Sequence, residues 1–83
     1  MEKTMNTEAQ TKLTDLIGKV LGRQDVRPEH NLREDLGADS LDMLELAMAV
    51  EENFNVEVPD ETAAGFNTVQ DIVFFLDQYG RNR

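Results

Sequence analysis

One stretch of the sequence decides the fold: DLGADSLDMLELAMAVEENF, residues 35–54. It begins as a loop that contains Gly37 and continues as a helix whose apolar residues recur every three or four positions. Ser40 stands where the loop becomes the helix, and Asp39 can accept hydrogen bonds from the first-turn amides. Because the positive end of a helix dipole favours anions, Ser40 suits an attached phosphate. The sequence around Ser40 offers no general base, so we expect other enzymes to modify this serine.

The helix predicted over residues 40–53 has two apolar faces. The first has the spacing of a core stripe and consists of Met43, Leu46, Ala47, Val50 and Phe54. The second lies among acidic residues and consists of Leu41, Leu44 and Met48. A helix that is apolar on two sides needs two surfaces to bury against, so the second face meets either more core or a partner protein. The acids that alternate along it favour the partner.

Three further helices are predicted around this one. Residues 7–21 form an amphipathic helix that ends at Gly22, and a long polar connection follows over residues 23–38, anchored by Val26, Leu32 and Leu36. Pro59 leads into a short helix at residues 60–64, which ends at Gly65.

A last helix is predicted over residues 68–79, where Thr68 and Asp71 have the spacing of a helix-start capping box. No segment shows the alternating pattern of a strand. The predicted fold is therefore all-α, a small four-helix bundle with three longer helices and one short helix.

Length and composition bound the possible functions. Eighty-three residues predict a single domain over residues 1–83, with flexible tails at residues 1–6 and 80–83. The absence of cysteine excludes a disulfide framework, a thiolate nucleophile and a zinc–thiolate site. His30 is the single histidine, in a polar loop, and is expected to be solvated. We therefore predict no catalytic residue and no metal site, and we do not expect an enzyme.

The sequence also contains no candidate membrane segment. No apolar run approaches the roughly 20 residues that span a bilayer. Residues 1–10 are polar and lack the apolar stretch of a secretory signal. We expect a monomer in the cytoplasm, without a membrane span.

Charge is distributed unevenly along the chain. Seventeen acids and eight bases give a formal net charge of −9, and residues 34–80 contain twelve of these acids with no lysine or arginine. Such a field repels nucleic acid and attracts basic protein surfaces. The acids could simply keep the domain soluble, but their clustering around Ser40 favours partner recognition.

The segment Asp35-Leu36-Gly37-Ala38-Asp39-Ser40-Leu41-Asp42 resembles the prosthetic-group attachment motif of acyl carrier proteins. The similarity covers roughly residues 9–79 and continues through Glu45-Leu46, Met48-Ala49, Glu51-Glu52, Phe54, Val58-Pro59-Asp60-Glu61 and Thr68-Val69. It implies that Ser40 is joined through a phosphodiester to 4′-phosphopantetheine, transferred from coenzyme A by a phosphopantetheinyl transferase. The thiol of this arm then carries acyl intermediates as thioesters.

The resemblance also implies two groups of binding residues. A surface that meets basic docking patches on the transferase and on acyl-processing enzymes would consist of Asp39, Leu41, Asp42, Leu44, Glu45, Met48, Glu51 and Glu52. A pocket for the acyl chain would be lined by Leu46, Ala47, Val50, Phe54, Val58, Ala63 and Phe66.

Several residues depart from the pattern of this family. Leu32 replaces an aromatic anchor, Met43 a small polar residue and Phe66 an aliphatic one, while Ala64-Gly65 replaces a charged pair. The sequence therefore predicts a carrier for fatty acid synthesis or a related dissociated pathway, with a dedicated polyketide, aminoacyl or other acyl carrier as the alternative. An acidic adaptor that carries nothing is the interpretation from a different class, and a hydrolase using Ser40 comes last.

Overall fold

A computed structural model describes residues 7–81, which contain four helices. These are α1 (Thr7–Leu21), α2 (Ser40–Phe54), the short α3 (Asp60–Ala64) and α4 (Val69–Arg81). Within these residues the sole extended pairing is an isolated antiparallel bridge between Asn31 and Thr68. The predicted all-α fold, with three longer helices and one short helix, is confirmed.

The helix boundaries follow local signals in the sequence. The residue after α1, Gly22, has a left-handed backbone with φ +69°, and α2 ends before Asn55, whose φ is 57°. Pro59 precedes α3 and Gly65 follows it. At the start of α4, the backbone N–H of Asp71 donates to the Thr68 hydroxyl at 3.2 Å, and the N–H of Thr68 donates to Oδ2 of Asp71 at 3.0 Å. The predicted capping box is therefore formed.

The end of α4 differs from the prediction. The sequence placed residues 80–83 in a tail, but α4 continues through Gly80 to Arg81. Glycine in a helix costs about 1 kcal/mol relative to alanine, which disfavours the helix without breaking it. The remaining predicted tail residues, 1–6 and 82–83, lie outside the described residues.

The core lies where α1, α2 and α4 meet, and α3 packs beside α2. It consists of apolar side chains that are almost fully buried: Leu13, Ile17, Leu32, Leu36, Ala38, Met43, Leu46, Val50, Val58, Phe66, Val69, Ile72, Val73 and Leu76. Two of these, Leu32 and Leu36, were predicted loop anchors, so the long connection between α1 and α2 is part of the packed structure. The third predicted anchor, Val26, is half-buried against the core.

The same connection also pairs with the start of α4 through its backbone. The N–H of Leu32 donates to the carbonyl of Asn67 at 2.8 Å, and the N–H of Val69 donates to the carbonyl of His30 at 3.0 Å. His30 is half-buried, and its Nδ1 accepts a hydrogen bond from the backbone N–H of Arg27 at 3.1 Å. This histidine is therefore part of a local turn, in contrast to the solvated side chain that the sequence predicted.

Gly18 and Arg23 join the end of α1 to the loop that precedes Ser40. A Cβ on Gly18 would lie 2.7 Å from the carbonyl oxygen of Arg23, so this position accepts glycine alone. The Nε of Arg23 donates to the carbonyl of Leu36 at 3.1 Å. These contacts fix residues 31–39, the Ser40 loop, relative to the core.

Candidate functional site

Ser40 is exposed at the first position of α2, at the end of the Ser40 loop. Gly37 makes the final turn of the loop with φ +75°, a left-handed backbone that favours glycine. On either side of it, the side chains of Leu36 and Ala38 are buried in the core. These two buried side chains anchor the loop to the core, and the next two residues, Asp39 and Ser40, are exposed on the surface.

The start of α2 is fixed by two carboxylates. The N–H of Asp42 donates to Oδ1 of Asp39 at 2.9 Å, and the N–H of Asp39 donates to Oδ2 of Asp42 at 3.2 Å. This reciprocal pair is a capping box, which fixes the first turn of α2. The amides of Ser40 and Leu41 have no acceptor inside the helix, as is general for the first turn. They remain available for an anion on Ser40.

A surface cavity of about 260 Å³ opens beside Ser40, along the flank of α2 that faces α3. Its wall is mostly apolar, with charged groups at Arg33, Glu51 and Asp60. The lining residues are Arg33, Ser40, Met43, Leu44, Ala47, Met48, Glu51, Val58, Asp60, Ala63 and Ala64. The serine to which an arm would be attached is thus part of the cavity lining.

This lining agrees only in part with the predicted acyl pocket. Three of the predicted residues line the cavity, namely Ala47, Val58 and Ala63. The other four are placed elsewhere: Leu46, Val50 and Phe66 are buried in the core, and Phe54 is half-buried with the Lys12 ammonium 5.0 Å from its ring centroid. Within α2 the reason is helical geometry, because positions 46 and 50 point toward the core while 44, 47, 48 and 51 lie on the adjacent flank. Met43 lies at the border, buried in the core and also lining the cavity.

The second apolar face of α2 is solvent-exposed. Leu41 is 66% exposed, and Leu44 and Met48 are each 55% exposed. Glu45 and Glu52 are exposed as well, and their spacing places them on the same side of the helix. We call this set the outward stripe: Leu41, Leu44, Glu45, Met48 and Glu52. Leu44 and Met48 also border the cavity.

The other acids predicted for partner recognition have bonds within the fold. Asp39 and Asp42 form the capping box, and Asp42 is half-buried. Glu51 is also half-buried, and its Oε2 accepts a hydrogen bond from the N–H of Val58 at 2.7 Å. This bond joins α2 to the connection that leads into α3. The predicted recognition set therefore divides into the outward stripe and three carboxylates that also stabilise local structure.

Arg33 is the residue of the site that sequence reasoning missed. It is exposed in the Ser40 loop and is the one cationic residue among those that line the cavity. The available signal was its position, because Arg33 is the last base before the base-free stretch of residues 34–80.

Two further searches concern residues 7–81. No group of three or more histidine, cysteine or acidic side chains in this part of the chain is arranged to hold a metal ion. Nor does any helix in the same range combine the length and apolar character needed to cross a membrane.

Comparison with known proteins relates this geometry to a family. Residues 11–76 match the family model described as the phosphopantetheine attachment site. The chain is 51% identical over 69 residues to an acyl carrier protein of Syntrophobacter fumaroxidans, covering 81% of this chain and 85% of the relative. It is 46% identical over 72 residues to an acyl carrier protein of Bdellovibrio bacteriovorus, covering 84% and 92%. The chain belongs to the acyl carrier protein family.

The fold agrees with a solved structure of another acyl carrier protein. The crystal structure of the Thermotoga maritima protein superposes with a TM-score of 0.76 at 23% identity, covering 90% of this chain and 89% of that one. Acyl carrier proteins are carriers and not enzymes, and their prosthetic group is phosphopantetheine.

The residues present here fit that group. An exposed hydroxyl at a helix start, with free amides beside it and a cavity at its edge, can hold a phosphate-linked arm. When attached, the group supplies a thiol, which this cysteine-free chain lacks.

Proposed function

We propose that Ser40 carries the phosphopantetheine arm and that this acyl carrier protein serves fatty acid synthesis in the cytoplasm as a monomer. The observation that carries the proposal is the position of Ser40, exposed at the first residue of α2 and at the edge of the cavity. Ser40 is also the only serine in the sequence. Its location on a capped helix start keeps the hydroxyl accessible to a transferase.

The outward stripe supports a docking role toward acyl-processing enzymes. Its leucines and methionine would enter apolar hollows on a partner, while Glu45 and Glu52 would face basic side chains. Asp39, Asp42 and Glu51 add negative charge to the same region while keeping their internal hydrogen bonds. Steering by charge and anchoring by apolar contacts suit partners that bind and leave repeatedly.

The cavity supports a second role, the sheltering of part of the acyl chain. Its lining includes the small side chains of Ala47, Ala63 and Ala64, which leave space for a chain. Met43 and Val58 contribute further apolar surface. Met43 is one of the departures from the family pattern noted above, so its contact with the cavity suits a carrier adapted to a particular cargo. Three residues of the predicted pocket thus stay in the proposed acyl site, with Met43 and Ala64 added.

Loading of the arm tests the attachment residue. Apo protein is incubated with coenzyme A, Mg²⁺ and a phosphopantetheinyl transferase, and the product is weighed by mass spectrometry. We expect the mass of one phosphopantetheine, located on Ser40 by fragmentation, and none on Ser40→Ala. The matched control Thr11→Ala removes an exposed hydroxyl of α1 and should load normally. Absence of added mass on the unchanged protein, or equal loading of Ser40→Ala, would refute the proposal.

The native cargo tests the pathway. Holo protein isolated from its own cells is analysed for the acyl group held as a thioester. Fatty acyl intermediates support the proposed pathway, whereas polyketide or aminoacyl groups would assign the protein to a dedicated carrier. If Ser40→Ala sustained full function in the cell, the adaptor interpretation would replace both.

A further inference from the structure

The Ser40 loop contributes Arg33 to the cavity that Ser40 also lines. The N–H of Arg33 donates to Oδ1 of Asn31 at 2.9 Å, and its carbonyl accepts from the N–H of Gly37 at 3.1 Å. Asn31 Oδ1 also accepts from the N–H of Glu34 at 2.8 Å, which closes the turn. The backbone at position 33 is therefore fixed, and Arg33 lines the same cavity as Ser40.

The guanidinium of Arg33 has no partner in the part of the chain that the structure describes: it makes no hydrogen bond and no ion pair with residues 7–81. Arg23, from the same connection, shows the contrast, because its Nε is bonded to the carbonyl of Leu36. The acids on the cavity wall do not pair with Arg33 either: Glu51 accepts from the N–H of Val58, and no ion pair joins Asp60 to Arg33 within residues 7–81. Arg33 thus has five unused N–H donors and lines the same cavity as Ser40.

A phosphate on Ser40 would enter a negatively charged environment. The carboxylates of Asp39 and Asp42 stand at the start of α2, and Glu34 and Asp35 lie in the turn before it. The capping box already occupies the amide of Asp42, so the helix end alone offers few donors. A guanidinium can form paired hydrogen bonds with a phosphate and offset its negative charge. The exposed amides of the helix are neutral donors and offset this charge less completely.

We infer that Arg33 binds the phosphate of the arm on Ser40 and directs the arm across the cavity toward α3. The inference rests on the proposed function, since it requires the arm to be on Ser40. The phosphate is favoured over an acidic group on the cargo because it is bonded directly to the serine that shares the cavity with Arg33, whereas the cargo is held at the far end of the arm. Arg33 is a positioning residue in this role and takes no part in the thioester chemistry.

The test uses holo protein with a free thiol, so that no cargo is present. The ³¹P NMR resonance of the phosphodiester is recorded for the unchanged protein and for Arg33→Gln, Arg33→Lys and the control Arg27→Gln. Arg27 is an exposed arginine of the same connection that does not line the cavity. Spectra are taken at about 0.01 M salt, where the Debye length is about 30 Å, and again at about 1 M, where it is about 3 Å. Melting temperatures of apo and holo forms are measured in parallel.

We expect Arg33→Gln to move the ³¹P resonance and to lower the holo-minus-apo difference in melting temperature, while Arg27→Gln changes neither. If Arg33→Lys keeps the resonance of the unchanged protein, charge alone is sufficient; if it behaves as Arg33→Gln, the guanidinium geometry is required, and both results support the contact. A resonance unaffected by Arg33→Gln in a folded holo protein, or moved equally by Arg27→Gln, overturns it. Failure of the proposed function is distinct, because the unchanged protein would then show no phosphodiester signal at all.

Discussion

The two faces of α2 are made of similar residues and behave differently. On the core face, Met43, Leu46 and Val50 are at most 6% exposed, whereas Leu41, Leu44 and Met48 of the outward stripe are 55–66% exposed. Both sets contain leucine and methionine at helical spacing, so hydrophobicity does not separate them. The two sets differ in their surroundings: the core face packs against α1, whereas the outward stripe carries the exposed acids Glu45 and Glu52. One face holds the fold together, and the other is available to partners.

The largest expected effect is the loss of stability on truncating a side chain of the core face. Leu46 is 1% exposed, and Leu46→Ala removes buried methyl groups and leaves a cavity, which costs about 2–5 kcal/mol. Urea unfolding followed by circular dichroism measures this cost. A loss near that of a typical surface substitution, about 0.5 kcal/mol, would show that Leu46 is not a core residue.

An intermediate effect is expected at Glu51, between the two faces. Glu51→Ala removes the acceptor of the Val58 N–H and leaves this amide of a buried residue unpaired, which costs about 1–3 kcal/mol. Hydrogen exchange at the Val58 amide should accelerate as well. The matched control is Glu52→Ala, an exposed neighbour on the outward stripe, whose stability change should stay within about 0.5 kcal/mol. Equal losses in the two variants would contradict the structural role of Glu51.

The smallest effect on stability is expected on the outward stripe. Leu44 is 55% exposed, so Leu44→Ala should change the free energy of unfolding by no more than about 0.5 kcal/mol. Because it removes an apolar anchor of the proposed docking surface, the variant should be loaded by a phosphopantetheinyl transferase with a raised KM. Steady-state loading kinetics measure this change. A wild-type KM, or destabilisation comparable to that of Leu46→Ala, would remove the distinction between the two faces.

Most of the fold was predictable because each helix carries its own boundary signals. Asp39 caps α2, Pro59 and Gly65 flank α3, and Thr68 begins the segment of α4. These signals act within a few residues, so a single sequence is sufficient to find them. The error at the end of α4 also comes from reading a local signal: Gly80 predicted the end of the helix, but α4 continues through it to Arg81.

The site was less predictable because it depends on contacts between distant segments. The position of Ser40 followed from local sequence, but the cavity also requires the placement of the Ser40 loop and of α3 against α2. Arg33 and Asp60 line it from segments outside α2, and no periodicity relates either residue to α2. The Glu51–Val58 bond likewise depends on a bend of the chain between the two residues. Sequence reasoning therefore predicted the helices better than the space between them.

The backbone pairing between the Ser40 loop and the start of α4 has a consequence for biosynthesis. Leu32 donates to the carbonyl of Asn67, and Val69 donates to the carbonyl of His30, so both bonds join segments well apart in the chain. Closing such a loop has an entropic cost that these contacts and the packing of α4 must offset. In a growing polypeptide the N–H of Leu32 lacks this acceptor, and the carbonyl of His30 lacks this donor, until residues 67–69 have left the ribosome. The order of the Ser40 loop therefore depends on residues translated long after the serine itself.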